Sequence, residues 1–204
     1  MKILKEFCAG SFFEALAAER RGADRIELCD NLAEGGTTQS YGTIKMALEK
    51  LNIPVFPIIR ARGGDFCYSD EELKIMREDI LMCKSLGAKG IVFGMLTKDK
   101  KIDEKILKEF VSLASPMEVT FHKAVDELEN PVEAVDILAE AGVKRILTSG
   151  TKATALEGAD ILNEMIERAE GKITIVVAGG VTTENFDEVS KKIVSSEYHG
   201  KKIV

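Results

Sequence analysis

Hydrophobic and polar positions follow two alternating patterns along the chain. Short apolar segments predict eight β-strands, near Leu4–Cys8, Arg25–Cys29, Pro54–Ile59, Gly90–Phe93, Glu118–Phe121, Arg145–Thr148, Thr174–Ala178 and Ser196–His199. Segments with helical spacing lie between them and predict seven helices, at Ser11–Arg21, Tyr41–Leu51, Asp70–Leu86, Asp103–Ala114, Pro131–Ala141, Ala159–Ala169 and Thr183–Lys191. Strand starts recur about every 20–35 residues, which is the spacing of βα units.

This alternation predicts an α/β fold, a TIM-type (β/α)8 barrel that forms a single domain over residues 1–204. An open doubly wound sheet is the alternative, and it is less favoured because no Gly-x-Gly-x-x-Gly motif follows the first strand. Only Gly200–Val204 remain after the last predicted strand, so the eighth helix is expected to be missing or vestigial. The uncovered wall predicts a homodimer or a higher homo-oligomer.

Charge and composition narrow the classes of partner. The chain is 45% hydrophobic and 30% charged, with a formal net charge of -6. An acidic chain argues against nucleic acid and against an anionic membrane surface as partners. The N-terminus has no long apolar run, which argues against a signal peptide, and the four cysteines show no paired spacing. We therefore expect free thiols and a cytoplasmic protein.

Polar side chains follow several predicted strands, and in such a barrel the carboxyl ends of the strands share one mouth. Glu27, His122 and Asp126 are candidate catalytic residues, because carboxylate and imidazole groups can transfer protons to a small substrate. The alternative is a structural layer of ion pairs inside the barrel, with Arg60 or Lys123 as the cationic partner.

Glycines after two late strands suggest an anion site. Backbone amides at helix N-termini can hold a phosphate or a carboxylate, and arginines can add a bidentate contact. The candidate residues for binding a small anionic metabolite are Arg60, Arg62, Ser149, Gly150, Gly179 and Gly180. Short glycine loops also occur simply as tight turns between strand and helix, and this alternative stays open.

Three cysteines are candidate metal ligands. Thiolates are soft ligands that suit Cu(I), and Cys8 and Cys29 occupy matching depths on neighbouring predicted strands. Cys67, with His122, could complete such a set. The chain has no Cys-x-x-Cys motif, so the cysteines could equally be small core residues.

Several longer motifs resemble those of the CutC copper-homeostasis family, and the resemblance covers essentially the whole chain. They lie at Glu27–Gly42, Arg60–Ser69, Val119–Asp126, Arg145–Gly150, Ala178–Val181 and Tyr198–Gly200. The resemblance implies a cytoplasmic TIM-type barrel, association into dimers or larger assemblies, and a role in copper handling. Three hypotheses are open: a protein that binds Cu(I), an enzyme of acid/base chemistry acting on a small phosphorylated or carboxylated metabolite, or a binding protein without chemistry.

Overall fold

Eight parallel strands form the centre of the molecule. The structure is a computed structural model and describes residues 3–204. The strands are β1 (Leu4–Ala9), β2 (Arg25–Leu28), β3 (Val55–Pro57), β4 (Gly90–Phe93), β5 (Glu118–Phe121), β6 (Arg145–Thr148), β7 (Thr174–Val177) and β8 (Glu197–Gly200). All eight lie where the apolar segments predicted them, with ends that differ by at most two residues.

Seven helices alternate with the strands. They are α1 (Phe12–Arg20), α2 (Tyr41–Lys50), α3 (Asp70–Ser85), α4 (Glu104–Ala114), α5 (Pro131–Glu140), α6 (Ala159–Ala169) and α7 (Phe186–Lys192). Local sequence explains where they begin: Ser69 and Glu72 form a capping box at α3, and Pro131 occupies the first turn of α5, where its missing N–H costs nothing. Short 3-10 helices cover Leu32–Glu34 and Lys123–Glu127.

The strands follow the order β3-β2-β1-β8-β7-β6-β5-β4, and every pairing is parallel. The remaining edges meet at a parallel bridge between Ile58 and Val92, where the Ile59 amide donates to the Val92 carbonyl at 2.7 Å. The sheet is therefore closed into a barrel, which confirms the predicted fold class.

Side chains alternate along each strand, so one set faces the helices and the other faces the inside of the barrel. The larger apolar core lies between the sheet and the helices and includes Ile26, Phe93 and Phe121. A smaller group fills the barrel itself and consists of Cys8, Cys29, Phe56, Ile58 and Val92. A Cβ added at Gly90 would come within 2.3 Å of the Phe56 ring, so a glycine is required where this ring crosses the barrel.

No helix follows β8 among residues 3–204, as the sequence predicted. Lys201–Val204 instead run beside the end of β7, where Lys202 bridges to Thr182 and Ile203 is buried. The homo-oligomer stays a prediction. In this described range, no helix has the length and apolar character needed to cross a membrane.

Candidate functional site

A layer of paired charges crosses the lower part of the barrel. Arg25 donates to Glu6 and to Glu197, the latter at 2.5 Å, and Arg145 donates to Glu197 at 3.0 Å and to Glu118 at 2.6 Å. An internal layer of ion pairs therefore exists. Its cations are Arg25 and Arg145, and the sequence interpretation was wrong to name Arg60 or Lys123, because neither side chain reaches this depth.

The carboxylate of Glu6 shows how strongly this layer is coupled. Burial alone would raise its pKa, but the Arg25 charge and the contact with His199 lower it to about 2. The pKa of Arg25 is raised, since the charges of Glu6 and Glu197 outweigh its own burial. Each buried charge in this layer has an opposite charge within hydrogen-bond distance, as a stable buried ion network requires.

A cavity of about 150 Å³ lies above this layer, at the carboxyl ends of the strands. It is lined by Cys8, Glu27, Cys29, Leu32, Gly35, Ile58, Arg60, Phe66, His122, Lys123, Leu147, His199 and Lys201. One ligand atom from each of Cys8, Glu27 and Cys29 lies within 4.8 Å of the other two, and all three residues are buried. Register explains the meeting: Cys8 pairs with Glu27 across β1 and β2, and Cys29 extends the same inward face.

Burial and neighbouring charges shift the pKa values of these three groups in different directions. The pKa of the Cys8 thiol is lowered well below its usual value, by the hydrogen bond from Cys29 and by His199, although burial opposes this. The pKa of Cys29 is raised, because it donates to Cys8 and is buried. Burial and the Cys8 charge raise the pKa of Glu27 to about 8. The Cys8 thiol is thus the more readily ionised of the two thiols, and the Glu27 carboxyl stays neutral up to about pH 8.

His199 is a residue of this site that the sequence reasoning left out of its candidates. Its Nδ1 lies 2.8 Å from Glu6 Oε1 and its Nε2 lies 3.6 Å from Glu27 Oε2. Burial alone would lower its pKa, but Glu27, Cys8 and Glu6 raise it well above the usual value. The position of His199 at the end of the last predicted strand was the available signal.

His122 and Arg60 also line the cavity, as the sequence predicted for strand ends. Both side chains pack against Phe66: the centre of its ring lies 4.8 Å from the centre of the His122 ring and 4.8 Å from the Arg60 guanidinium carbon. His122 Nδ1 accepts a hydrogen bond from the Ala124 amide at 3.2 Å. Burial, with the nearby Arg60 charge, lowers the pKa of His122 to about 3, so the imidazole is neutral.

Asp126 lies outside the cavity and organises the loop after β6. Its carboxylate accepts hydrogen bonds from Thr148 Oγ1 at 2.5 Å, from the amide and hydroxyl of Ser149, and from the Thr151 amide. The structure therefore does not bring Asp126 together with Glu27 and His122. A proton-transfer role for Asp126 stays a prediction that this geometry does not favour, since its oxygens already hold a loop.

The glycine loops show a packing reason for their glycines. The Ser149 and Gly150 amides already have internal acceptors, in Asp126 and Thr148. A Cβ at Gly150 would meet the Gly158 carbonyl at 2.3 Å, and a Cβ at Gly179 would meet Ser149 at 2.7 Å. Gly180 has a φ of +68° and accepts from Asn185. These contacts favour tight turns over an open anion cradle.

Arg62 and Cys67 lie beside the cavity without lining it. The Arg62 guanidinium contacts Asp65 at 2.9 Å and Glu72 at 2.6 Å, and it also donates to the Cys67 carbonyl. Cys67 is partly exposed and lines a separate shallow groove with Leu96. The structure therefore brings Cys8 and Cys29 together and leaves Cys67 apart.

Comparisons with known proteins agree with this architecture. The family model of the CutC family matches residues 3–204. A human copper homeostasis protein cutC homolog is 43% identical over 196 residues, which cover 96% of this chain and 72% of the human protein. The family protein CutC of Enterococcus faecalis is 48% identical over 209 residues, covering 99% of this chain and all of that protein.

Solved structures show the same fold. A crystal structure of CutC from Streptococcus agalactiae superposes with a TM-score of 0.94 at 36% identity, covering 99% of this chain and 100% of that chain. QR15, an aldolase, superposes with a TM-score of 0.71 at 16% identity, covering 98% of this chain and 89% of that chain. The second likeness concerns the barrel fold alone.

Proposed function

The chain belongs to the CutC family, and from this premise we propose that it serves copper homeostasis by binding Cu(I) at the Cys8 and Cys29 thiols. The observation that carries the proposal is the meeting of Cys8, Cys29 and Glu27 within 4.8 Å inside one cavity. Sulfur ligands select Cu(I) over the harder divalent ions that carboxylates and waters prefer. The metal would be the protein's cargo.

The surrounding charges favour a cuprous ion between two thiolates. Two thiolates and one Cu(I) carry a net charge of about -1, and such a charge needs a cation in a buried site. His199 supplies it, because its imidazole is protonated and lies 3.6 Å from Glu27. The pKa of Cys8 is lowered and that of Cys29 is raised, so the Cys29 proton is the harder one to remove when the metal enters.

Glu27 would not take up that proton, because its carboxyl is already protonated below about pH 8, and the proton leaves to solvent. Its carboxyl is neutral up to about pH 8 and lies beside both thiols. A carboxylate oxygen is a hard ligand, so we assign the two sulfurs to the metal and the carboxyl to the control of their protonation. Cu(I) affinity is then expected to rise with pH, because a proton must be released for each ion bound.

An anaerobic titration against a competing Cu(I) chelator tests this proposal. The wild type should bind one Cu(I) per chain, and a Cys8→Ser/Cys29→Ser double variant should bind at least about a hundredfold more weakly, which exceeds the usual effect of groups that only surround a metal site. Cys83→Ser is the matched control, since Cys83 is buried in α3 away from the cavity. Equal and weak binding by wild type and double variant would remove the proposal.

Acid/base chemistry on a small anionic metabolite is the second candidate function. The observation that favours it is a carboxyl with a pKa of about 8, at Glu27, next to the charged imidazole of His199. A group that is protonated near neutral pH can act as a general acid. Metabolite profiles of a deletion strain separate the two functions: accumulation of one small anion without copper stress supports chemistry, and changes only under copper stress support metal handling.

A further inference from the structure

The wall of the cavity formed by Arg60, Phe66 and His122 contains hydrogen-bond donors that no group of residues 3–204 accepts. In the described part of the chain, four buried side-chain polar atoms lack a partner: Arg60 Nε, Tyr68 Oη, Thr120 Oγ1 and His122 Nε2. Two of them belong to residues that line this one cavity. A buried donor without an acceptor costs about 1–3 kcal/mol, so two in one small cavity point to a ligand that accepts from both.

His122 presents its donor in a fixed orientation. Because Nδ1 accepts from the Ala124 amide, the proton of the neutral ring is on Nε2. The ring lies against Gly94, where an added Cβ would come within 2.5 Å of Nδ1. The residue is 4% exposed and packs against Phe66 and Phe121. His122 is therefore a neutral, preset donor, unsuited to holding a proton for a reaction.

Arg60 is a buried cation without a carboxylate partner. Its Nη1 donates to the Glu34 and Gly36 carbonyls at 2.9 Å and 2.8 Å, and its Nη2 donates to the Gly64 carbonyl at 2.6 Å. The side chain is 3% exposed, and among residues 3–204 it takes part in no ion pair. These three carbonyls hold the guanidinium in place, Nε lacks a hydrogen-bond partner among residues 3–204, and the Tyr68 hydroxyl lies near the guanidinium.

The nearby acid does not neutralise this charge. Asp65 is exposed, and its pKa is lowered mainly by the hydrogen bond from Arg62 and only last by the Arg60 charge. Arg25, in the layer below, contacts two carboxylates instead. A buried guanidinium that lacks a counter-charge is costly, and an anionic ligand would supply that charge.

We infer that this wall is a binding site for a small monocarboxylate, which accepts hydrogen bonds from Arg60 Nε and His122 Nε2. Arg60 Nε and His122 Nε2 are two donors, which the two oxygens of a single carboxylate can accept. The lining also includes Leu32, Ile58 and Leu147, which suit a short apolar chain, and Lys123 and Lys201, which add positive charge. The cavity volume of about 150 Å³ sets the size limit.

This inference goes beyond copper binding and does not require it. The carboxylate site and the thiol pair share one cavity, so a bound carboxylate would lie beside the metal or beside Glu27. If the protein is an acid/base enzyme, this site would identify its substrate as a small monocarboxylate. Experiments on reduced, metal-free protein keep the two proposals separable. Carboxylate binding can be found in a protein that fails to bind Cu(I), and Cu(I) binding can be found in a protein that fails to bind a carboxylate.

Nuclear magnetic resonance of the His122 ring nitrogens, with acetate, propionate, acetamide and inorganic phosphate as probes, tests the inference. We expect acetate and propionate to shift Nε2 with dissociation constants of roughly 1 mM or lower, propionate being the tighter. Acetamide lacks the charge and should bind at least about tenfold more weakly. Equal affinity for acetamide, tighter phosphate binding, or no Nε2 shift up to roughly 100 mM carboxylate would overturn it.

Variants locate the contact. Arg60→Lys keeps the charge and removes Nε, and His122→Phe keeps the ring and removes the donor; each should weaken propionate at least about tenfold, as loss of a charge-assisted hydrogen bond does. Arg62→Lys is the matched control, since Arg62 belongs to the same loop but does not line the cavity. Isothermal titration calorimetry measures propionate affinity in every variant, and an unchanged affinity in folded His122→Phe would overturn the assignment even if Arg60→Lys proved unstable.

Discussion

Two layers of charged side chains lie inside one barrel, and they differ in how fully their charges are paired. In the lower layer, Arg25 meets Glu6 and Glu197, and every buried charge has its partner. In the upper cavity, Arg60 has no ion pair among residues 3–204, and Glu27 holds a proton up to about pH 8. Removing one partner of a buried ion pair leaves an uncompensated charge, and a buried charge without any partner likewise raises the free energy of the folded state.

The largest expected effect comes from breaking the lower layer. Arg25→Met would leave Glu6 and Glu197 without their shared cation, and removing one partner of a buried pair costs about 3–5 kcal/mol. Urea unfolding measures this loss. Arg77→Met is the control, because its pair with Glu109 is on the surface and is worth less than about 1 kcal/mol. Equal losses in the two variants would remove the distinction between the layers.

In the upper cavity, we expect a substitution that raises the free energy of unfolding. The folded pKa of Glu27, about 8, exceeds its ordinary value of 4.5, so its contribution to stability is present below 4.5 and is lost as pH rises toward 8. Glu27→Gln removes that loss and should raise the free energy of unfolding at about pH 7 by on the order of 2 kcal/mol.

Glu6→Gln is the matched comparison for that experiment. The folded pKa of Glu6, about 2, is below its ordinary value, so its carboxylate stabilises the fold above 4.5. The same change of residue type should therefore lower stability at Glu6 and raise it at Glu27, as measured by urea midpoints. Destabilisation of similar size at both positions would show that Glu27 is also a paired structural charge.

The smallest effect concerns the pH dependence of stability near His122. Its folded pKa of about 3 is below the ordinary 6.5, so the unfolded chain binds the extra proton and stability falls as pH drops from 6.5 toward 3. The slope from one such group is at most about 1.4 kcal/mol per pH unit. His122→Phe should remove this part of the slope. An unchanged slope between about pH 6.5 and 5 would contradict a buried neutral imidazole.

The strands and helices could be predicted from sequence because their signals are local. The predicted strand at Pro54–Ile59 shows the limit: regular pairing covers Val55–Pro57, and Ile58 continues as a single bridge at the closing edge. The meeting of Cys8 and Glu27 could also be anticipated, since alternation and neighbouring strands place both on one inward face.

Partners that are distant in sequence could not be predicted in the same way. His199 contacts Glu6 across 193 positions, and nothing local to either residue indicates that contact. The Asp126 carboxylate and the Ser149 amide meet only because the loops after two neighbouring strands fold over each other. Whether Arg60 faces a carboxylate or three carbonyls likewise depends on the path of its loop.

Anomalous diffraction from crystals loaded with one equivalent of Cu(I) under reducing conditions tests the central claim most directly. The account predicts one metal peak inside the barrel, between the Cys8 and Cys29 sulfurs, with His199 and Glu27 beside it. A peak at Cys67 or on the surface, with no metal in the cavity, would contradict it.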